Sequence, residues 1–316
     1  MTAVWHPSGM ALPHALPDGI TVFERGWLSA NNVLFHGPGP TALVDSGYAT
    51  HAPQTVALVR QALDGRPLDL LLNTHLHSDH CGGNAALQAE YPDVVTSIPP
   101  GLAQQVRHWD PVALTYQPTG QYCPRFRADR LLMPGAEVVL GQRTWEVHGA
   151  PGHDQHSIVL FEPHEGILIS ADALWANGFG VVFQELEGQH AFEEVGATLD
   201  LIEALRPRLV IPGHGGLFTD VAGALRSARR RLQGFVQDPA RHASHAAKVL
   251  LKFKLLELQR VPYRDLEQWA LATAYFSLIL DRHFHGQEPA TWFRGLVDDL
   301  VAAGAVALAN GELINV

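Results

Sequence analysis

Thr74-His75-Leu76-His77-Ser78-Asp79-His80-Cys81-Gly82-Gly83-Asn84 sets four metal-ligating side chains, His75, His77, Asp79 and His80, within six residues. His75 and His77 are two apart, so on an extended segment they point to the same side, and the apolar run Leu70, Leu71, Leu72 before them reads as a buried strand. The ligands therefore sit where a strand ends. Imidazole and carboxylate groups suit Zn²⁺, Fe or Mn²⁺, and Gly82 and Gly83 are expected to let the backbone turn tightly around the site.

The rest of the composition fits an enzyme around such a loop. Of 316 residues, 47% are hydrophobic and 17% charged, which indicates a globular chain that can hold one large domain and a small one, or two of middling size. No apolar run approaches the roughly 20 residues that span a bilayer, and the N-terminus lacks the basic, then apolar, then small-residue order of a signal peptide. The expectation is a cytoplasmic protein with no membrane partner. Cys81 and Cys123 allow at most one disulfide, and Cys81 reads as a small residue filling space behind the loop. A net charge of −10 argues against nucleic-acid binding by the whole chain. Between Arg226 and Arg264, however, lie Arg229, Arg230, Arg231, Arg241, Lys248, Lys252, Lys254 and Arg260. This basic stretch reads either as a solvated helical face or as a site for an anionic substrate tail or nucleic acid.

Short strands are predicted at Ile20–Phe23, Asn32–Phe35 and Thr41–Val44, a helix over Pro53–Leu63, the strand Leu70–Leu72, and a helix over Asn84–Glu90. The proline- and aromatic-bearing region from Pro99 to Met133 reads as irregular. Strands resume at Glu137–Val139, Thr144–His148, Ser157–Phe161 and Ile167–Ala171, and a helix over Phe192–Leu205 leads to a further strand at Val210–Pro212. Several of these strand ends carry another ligand: Gly152-His153 on a turn, Asp172 after Ala171, and Gly213-His214 among glycines. Two sheets packed together and covered by helices follow from this order. A boundary is expected near Pro239, dividing residues 1–238 from 239–316. Beyond it His245–Gln259, Tyr263–Arg282 and Pro289–Ala303 read as helices, and Asn310-Gly311 as the type I′ turn of a closing hairpin. Three helices and a hairpin make a small winged-helix-like module, whose expected role is to cap the site or to form a homodimer contact in preference to recognising nucleic acid.

With these residues assembled, the chain resembles the metallo-β-lactamase-fold hydrolase superfamily, which includes glyoxalase II, lactonases, sulfur dioxygenases and β-lactamase-like nucleases. The likeness covers about residues 15 to 235 and rests on Val44-Asp45-Ser46-Gly47, the His75 loop, Gly152-His153, Asp172 and Gly213-His214. It implies an α+β fold, an αββα sandwich with a two-metal site at one edge. His75, His77 and His153 would bind one metal, Asp79, His80 and His214 the other, and Asp172 would bridge them. Zinc is the expected metal, with iron or manganese as alternatives. Asp79 would be the catalytic residue, orienting a metal-activated water and accepting its proton, and Asp45 would steady a ligating histidine. His156, Trp175, Asn177 and Phe179 are candidates for the substrate pocket, and Lys252 and Lys254 for cations that meet a substrate's carboxylates or phosphates. The expected reaction is hydrolysis of a small acyl thioester, ester or lactone. Phosphodiester cleavage as in the β-lactamase-like ribonucleases, and iron-dependent sulfur dioxygenation, are the alternatives.

Overall fold

The computed structural model describes residues 16–316, so the reading of the N-terminus as free of a signal pattern lies outside the described residues. The first sheet takes its strands in chain order: β1 (Ile20–Phe23), β2 (Asn32–Phe35), β3 (Ala42–Val44), β4 (Leu70–Leu72), β5 (Val95–Ile98) and β6 (Arg130–Leu131). The first three pair antiparallel and the last four, β3 to β6, parallel. The second sheet runs in the order β11 (Leu209–Pro212), β10 (Ile167–Ala171), β9 (Ile158–Glu162), β8 (Arg143–Gly149), β7 (Glu137–Leu140), with only β10 and β11 parallel.

Period-two alternation sorts the apolar residues into layers. Val33, Phe35, Val44 and Leu72 face the second sheet and meet Trp145, Val147, Leu160, Ile169 and Ile211. Their neighbours Leu34, Leu43 and Leu71 face outward onto Val59 and Leu63 of α1 (Ala52–Leu63) and Leu87 of α3 (Asn84–Glu90), which flank the short α2 (Ser78–Cys81). On the other side Val159, Phe161, Leu168 and Val210 are covered by Val195, Leu199 and Ile202 of α6 (Phe192–Leu205) and by Leu225 and Ala228 of α7 (Val221–Gln237). The result is the four-layer αββα sandwich. The region from Pro99 to Met133 is mostly irregular, interrupted by α4 (Ala103–His108) and the two-residue β6.

Gly82 and Gly83 serve close packing, not turning. Their φ angles, −63° and −83°, are ordinary for any residue, but a Cβ on Gly82 would stand 2.6 Å from the Ala49 nitrogen, and one on Gly83 2.4 Å from the Ser46 carbonyl. The expectation of a tight turn is corrected accordingly.

After α5 (Phe183–Leu186), α6 and α7, the chain passes Asp238 into α8 (Pro239–Leu258), which begins six residues before the expected start at His245. The Asp238 carboxylate accepts from the Arg241 amide and Pro239 opens the helix, a cap and first-turn pair that favours initiation there. The single helix expected over Tyr263–Arg282 is two, α9 (Tyr263–Ala272) and α10 (Ala274–His283). Thr273 between them is extended (φ −86°, ψ 125°), and the Tyr275 amide donates to the Pro118 carbonyl. The apolar spacing hid this break because both helices pack on one core, with Leu266, Ala270, Phe276 and Ile279 all in it. α11 (Pro289–Ala302) completes that core. A small antiparallel sheet in the order β12 (Arg260–Pro262), β14 (Glu312–Asn315), β13 (Val306–Ala309) closes the chain. Asn310 and Gly311 both have positive φ (53° and 78°), as a type I′ turn requires. Val181 and Leu186 join the C-terminal core from the segment after β10, so that segment is packed between the sandwich and the C-terminal helices. Among the described residues no helix is long and apolar enough to cross a membrane.

Candidate metal centre

Every ligand predicted from the sequence stands at one edge of the sandwich. The loop after β4 supplies His75 and His77, α2 supplies Asp79 and His80, the turn before β9 supplies His153, and Asp172 and His214 follow β10 and β11. They fall into two groups, His75, His77 and His153 in one and Asp79, His80, Asp172 and His214 in the other. In the first, His77 Nδ1 lies 3.1 Å from His75 Nε2 and 2.8 Å from His153 Nε2. In the second, His214 Nε2 lies 3.0 Å from Asp79 Oδ2. Asp172 spans the two groups: Oδ2 is 3.4 Å from His153 Nε2, and Oδ1 is 3.4 Å from His80 Nε2. A Cβ on Gly213 would stand 2.1 Å from Asp172 Oδ1, so only glycine leaves that carboxylate room.

The outer nitrogens fix how each ring presents the other one. His80 Nδ1 donates to Asp45 Oδ2 (2.8 Å), His153 Nδ1 to the Val181 carbonyl (2.6 Å) and His214 Nδ1 to the Gly26 carbonyl (3.1 Å). His75 Nδ1 donates to Thr74 Oγ1 (3.1 Å), whose hydroxyl donates in turn to Asp45 (2.8 Å). Asp45 also accepts from the Thr74 amide and sits at φ 59°, a left-handed conformation that costs a non-glycine residue free energy. With the outer nitrogens of His75 and His153 carrying the protons, their unprotonated Nε2 atoms face inward, while Nε2 of His80 and of His214 points at the carboxylates of Asp172 and Asp79. His77 offers Nδ1, while its Nε2 is 3.8 Å from Asp154.

Burial and charge act together on these groups. Burial, then the neighbouring histidines, push His75 well below the usual range, and burial pushes His77 and His153 down to about 4. These rings are therefore neutral at pH 7, the state that binds a metal. Burial opposes charge on His80 and His214 as well, but Asp172 and the other carboxylates outweigh it and raise both. Asp79 and Asp172 are held low by His80 and His214 against the opposing effect of burial. Lone pairs converge at about 3 Å in the first group, and buried His80 Nε2 has no hydrogen-bond partner. An orphaned inward nitrogen inside a set of imidazoles and carboxylates is what a divalent cation satisfies. The residues fit a divalent metal site.

A family model described as the metallo-beta-lactamase superfamily matches residues 25–214, the span from just before β2 to the last ligand. The chain belongs to the metallo-beta-lactamase superfamily. It is 30% identical to a hydroxyacylglutathione hydrolase of Thermosynechococcus vestitus over 52% of this chain and 56% of that protein. With a beta-lactamase-like protein 2 homolog of Drosophila melanogaster it shares 29% over 71% of this chain and 75% of that one. The chain thus spans little more than half the length of the first of these relatives. Among solved structures, a beta-lactamase domain protein from Burkholderia ambifaria superposes with a TM-score of 0.59 at 18% identity, covering 98% of each chain. A metallo-beta-lactamase family protein from Thermus thermophilus gives 0.57 at 18%, covering 96% of this chain and 100% of that one. The coverage extends the shared fold beyond the sandwich into the C-terminal helices and strands.

In this member of the superfamily His77, Asp79, His153, Asp172 and His214 open onto a cavity of about 510 Å³, walled by Trp27, Trp175, Val181, Phe183, Val249 and Phe253. Trp175 and Asn177 line it, as expected from the sequence, and Trp175 Nε1 donates to Asp172 Oδ1 (3.2 Å). Four other candidates do not. Phe179 is 2% exposed and packs in the core against Phe235, because the tight turn closed by the Trp175–Gly178 pair reverses the chain before it. The His156 ring lies against Gly101 in a small cleft behind His75. Lys252 Nζ donates to the carbonyls of Ala305 and Val316 and to Asn315, tying α8 to the last sheet, and Lys254 pairs with Glu257 (2.7 Å) over the Trp269 ring. The sequence reading missed Trp27, which stacks on His214 with rings 5.4 Å apart and 9° from parallel; nothing in its neighbourhood marks it. It also missed Asp154, which its place directly after His153 could have indicated. Cys81 is turned away from the ligands, its thiol 3.2 Å from Tyr116 Oη and 3.8 Å from the Cys123 thiol.

Proposed function

We propose that this protein is a metal-dependent hydrolase with a binuclear site, most simply two Zn²⁺, acting on the carbonyl of a small acyl thioester, ester or lactone. The reading rests on one observation above the others: Asp172 reaches a histidine of each ligand group, His80 and His153, and lines a mainly apolar cavity. His75, His77 and His153 would hold one cation, Asp79, His80 and His214 the other, with Asp172 between. When bound, such a pair supplies Lewis acidity and lowers the pKa of water towards neutrality.

The chain's own groups do the rest. Asp79 lines the cavity and is kept ionised by His80 and His214, so it can orient the attacking water and take its proton. Asp45 and the carbonyls of Val181 and Gly26 hold three rings in the donor orientation before substrate arrives, which spares reorganisation in the reaction. Trp175, Phe183 and Phe253 offer an apolar surface to an acyl group. The hydroxyacylglutathione hydrolase relatives support a thioester, and a mainly apolar lining suits a small acyl compound better than a nucleic-acid strand.

The test compares purified protein with its Asp79→Ala variant on S-acyl thioesters of glutathione, coenzyme A and a simple thiol. At least one should be hydrolysed about 100-fold or more faster by the unmodified protein, and equal rates on all three would end the reading.

A further inference from the structure

The basic stretch from Arg226 to Arg264 resolves into groups with very different surroundings. Arg229 pairs with Asp200 and Glu203, Lys248 with Asp299, Lys254 with Glu257 and Arg260 with Glu312, while Lys252 is spent on carbonyls. Arg226, Arg230, Arg241 and Arg264 are exposed to solvent. Arg231 alone among these residues lines the cavity that holds the metal ligands. Its guanidinium is half-buried, and among the described residues no carboxylate oxygen comes within 4.0 Å of it. Of its five N–H groups, one donates, at a long 3.5 Å, to the Phe179 carbonyl.

The chain is shaped to receive that guanidinium. A Cβ on Gly178 would stand 2.6 Å from Arg231 Nη1, and one on Gly180 2.3 Å from His153 Nδ1. One short segment thus seats Arg231 against Gly178 and a metal ligand against Gly180, two residues or at most about 7 Å of chain apart. The side chain between them, Phe179, anchors the segment in the core. A partly buried cation with free donors and no counter-charge is unfavourable unless something anionic meets it, and here it faces the space where a substrate sits.

We propose that Arg231 is the specificity-determining residue of the site, binding an oxyanion, a carboxylate or a phosphate, carried by the substrate within several ångströms of the carbonyl that is attacked. This rests on the hydrolase reading and narrows its substrate class to anionic acyl compounds. The planar fork of arginine offers two parallel hydrogen bonds to such a group. The assignment replaces Lys252 and Lys254, whose ammonium groups are used elsewhere.

Three matched S-acetyl thioesters test it, those of 3-mercaptopropionate, its neutral amide, and 2-mercaptoethyl phosphate. The unmodified holoenzyme should show kcat/KM about tenfold or more higher on one of the two anionic esters than on the amide. Whichever anion gains more identifies the group recognised. In Arg231→Gln the ratio should fall towards one, and Arg231→Lys should keep part of it. Equal kcat/KM on anionic and neutral esters in the unmodified enzyme, or a ratio unchanged in Arg231→Gln, overturns the proposal. If no ester is hydrolysed faster than by Asp79→Ala, the hydrolase reading is at fault, and calorimetric titration with inorganic phosphate decides the anion site alone. The expected result there is at least about fivefold weaker binding to Arg231→Gln, and equal binding overturns the assignment.

Discussion

Asp45 shows at the scale of one residue how much of the metal centre is built outside the ligand set. Its two oxygens receive His80 Nδ1, the Thr74 hydroxyl and the Thr74 amide, and through Thr74 it also reaches His75. One carboxylate therefore orients a ring in each ligand group. Asp45→Asn removes charge and leaves one amide oxygen to accept, so metal affinity should drop by about 10- to 100-fold. Competition with a metal-sensitive chelating dye would measure it, and an unchanged affinity would show that the ligands orient themselves. The ligands were legible in the sequence because ligand chemistry permits few residue types and the strand ends marked their places. Trp27 was not legible, and Arg231 was legible only as one cation of a basic stretch. Aromatic and basic residues occur for many reasons, and what singles these two out is a partner, His214 or Gly178, that lies far away in the chain.

Among the elements, α8 carries a buried histidine whose ionisation links the C-terminal helices to the site. His242 accepts from the Val182 amide (3.2 Å) and is packed against Phe192 and Phe235. Burial first, and then His245 and His283, push its pKa down to about 3. An unfolded chain protonates this residue near pH 6.5. The unfolded state therefore binds the extra proton as pH falls below about 6.5, and the folded state does so only near 3. Stability from the neutral ring is complete above 6.5 and is lost as pH falls through that window. Urea midpoints at pH 7 and pH 5 should differ less for His242→Gln, which keeps an acceptor for Val182 without the titration, than for the unmodified protein. An equal difference would show that His242 is not buried as a neutral ring. Helices and strands with strong periodicity, such as α3, α6, β1 and β10, were readable to the residue. The break at Thr273 was not, since packing of both segments on one core preserves the apolar spacing across it.

For the molecule as a whole, the sandwich presents the ligands and the C-terminal helices close the space above them. Val249, Leu250 and Phe253 of α8 form one wall of the cavity, and Phe253 packs edge-on against Tyr48 from the sandwich, with ring centroids 5.0 Å apart. Two packed sheets covered by helices followed from the order of strands and helices, and the αββα sandwich from the family resemblance, whereas the part played by α8 depends on tertiary packing that no local pattern records. The central claim is that two ligand groups sharing Asp172 hold two metals that together support hydrolysis. Titration of metal-stripped protein with Zn²⁺, following metal bound by atomic emission and thioester hydrolysis in the same samples, tests it most directly. Binding should saturate at two equivalents per chain, hydrolysis should rise with occupancy, and both should be lost in Asp172→Ala. Full hydrolysis by the metal-stripped protein, or saturation at a single equivalent with full activity, would contradict it.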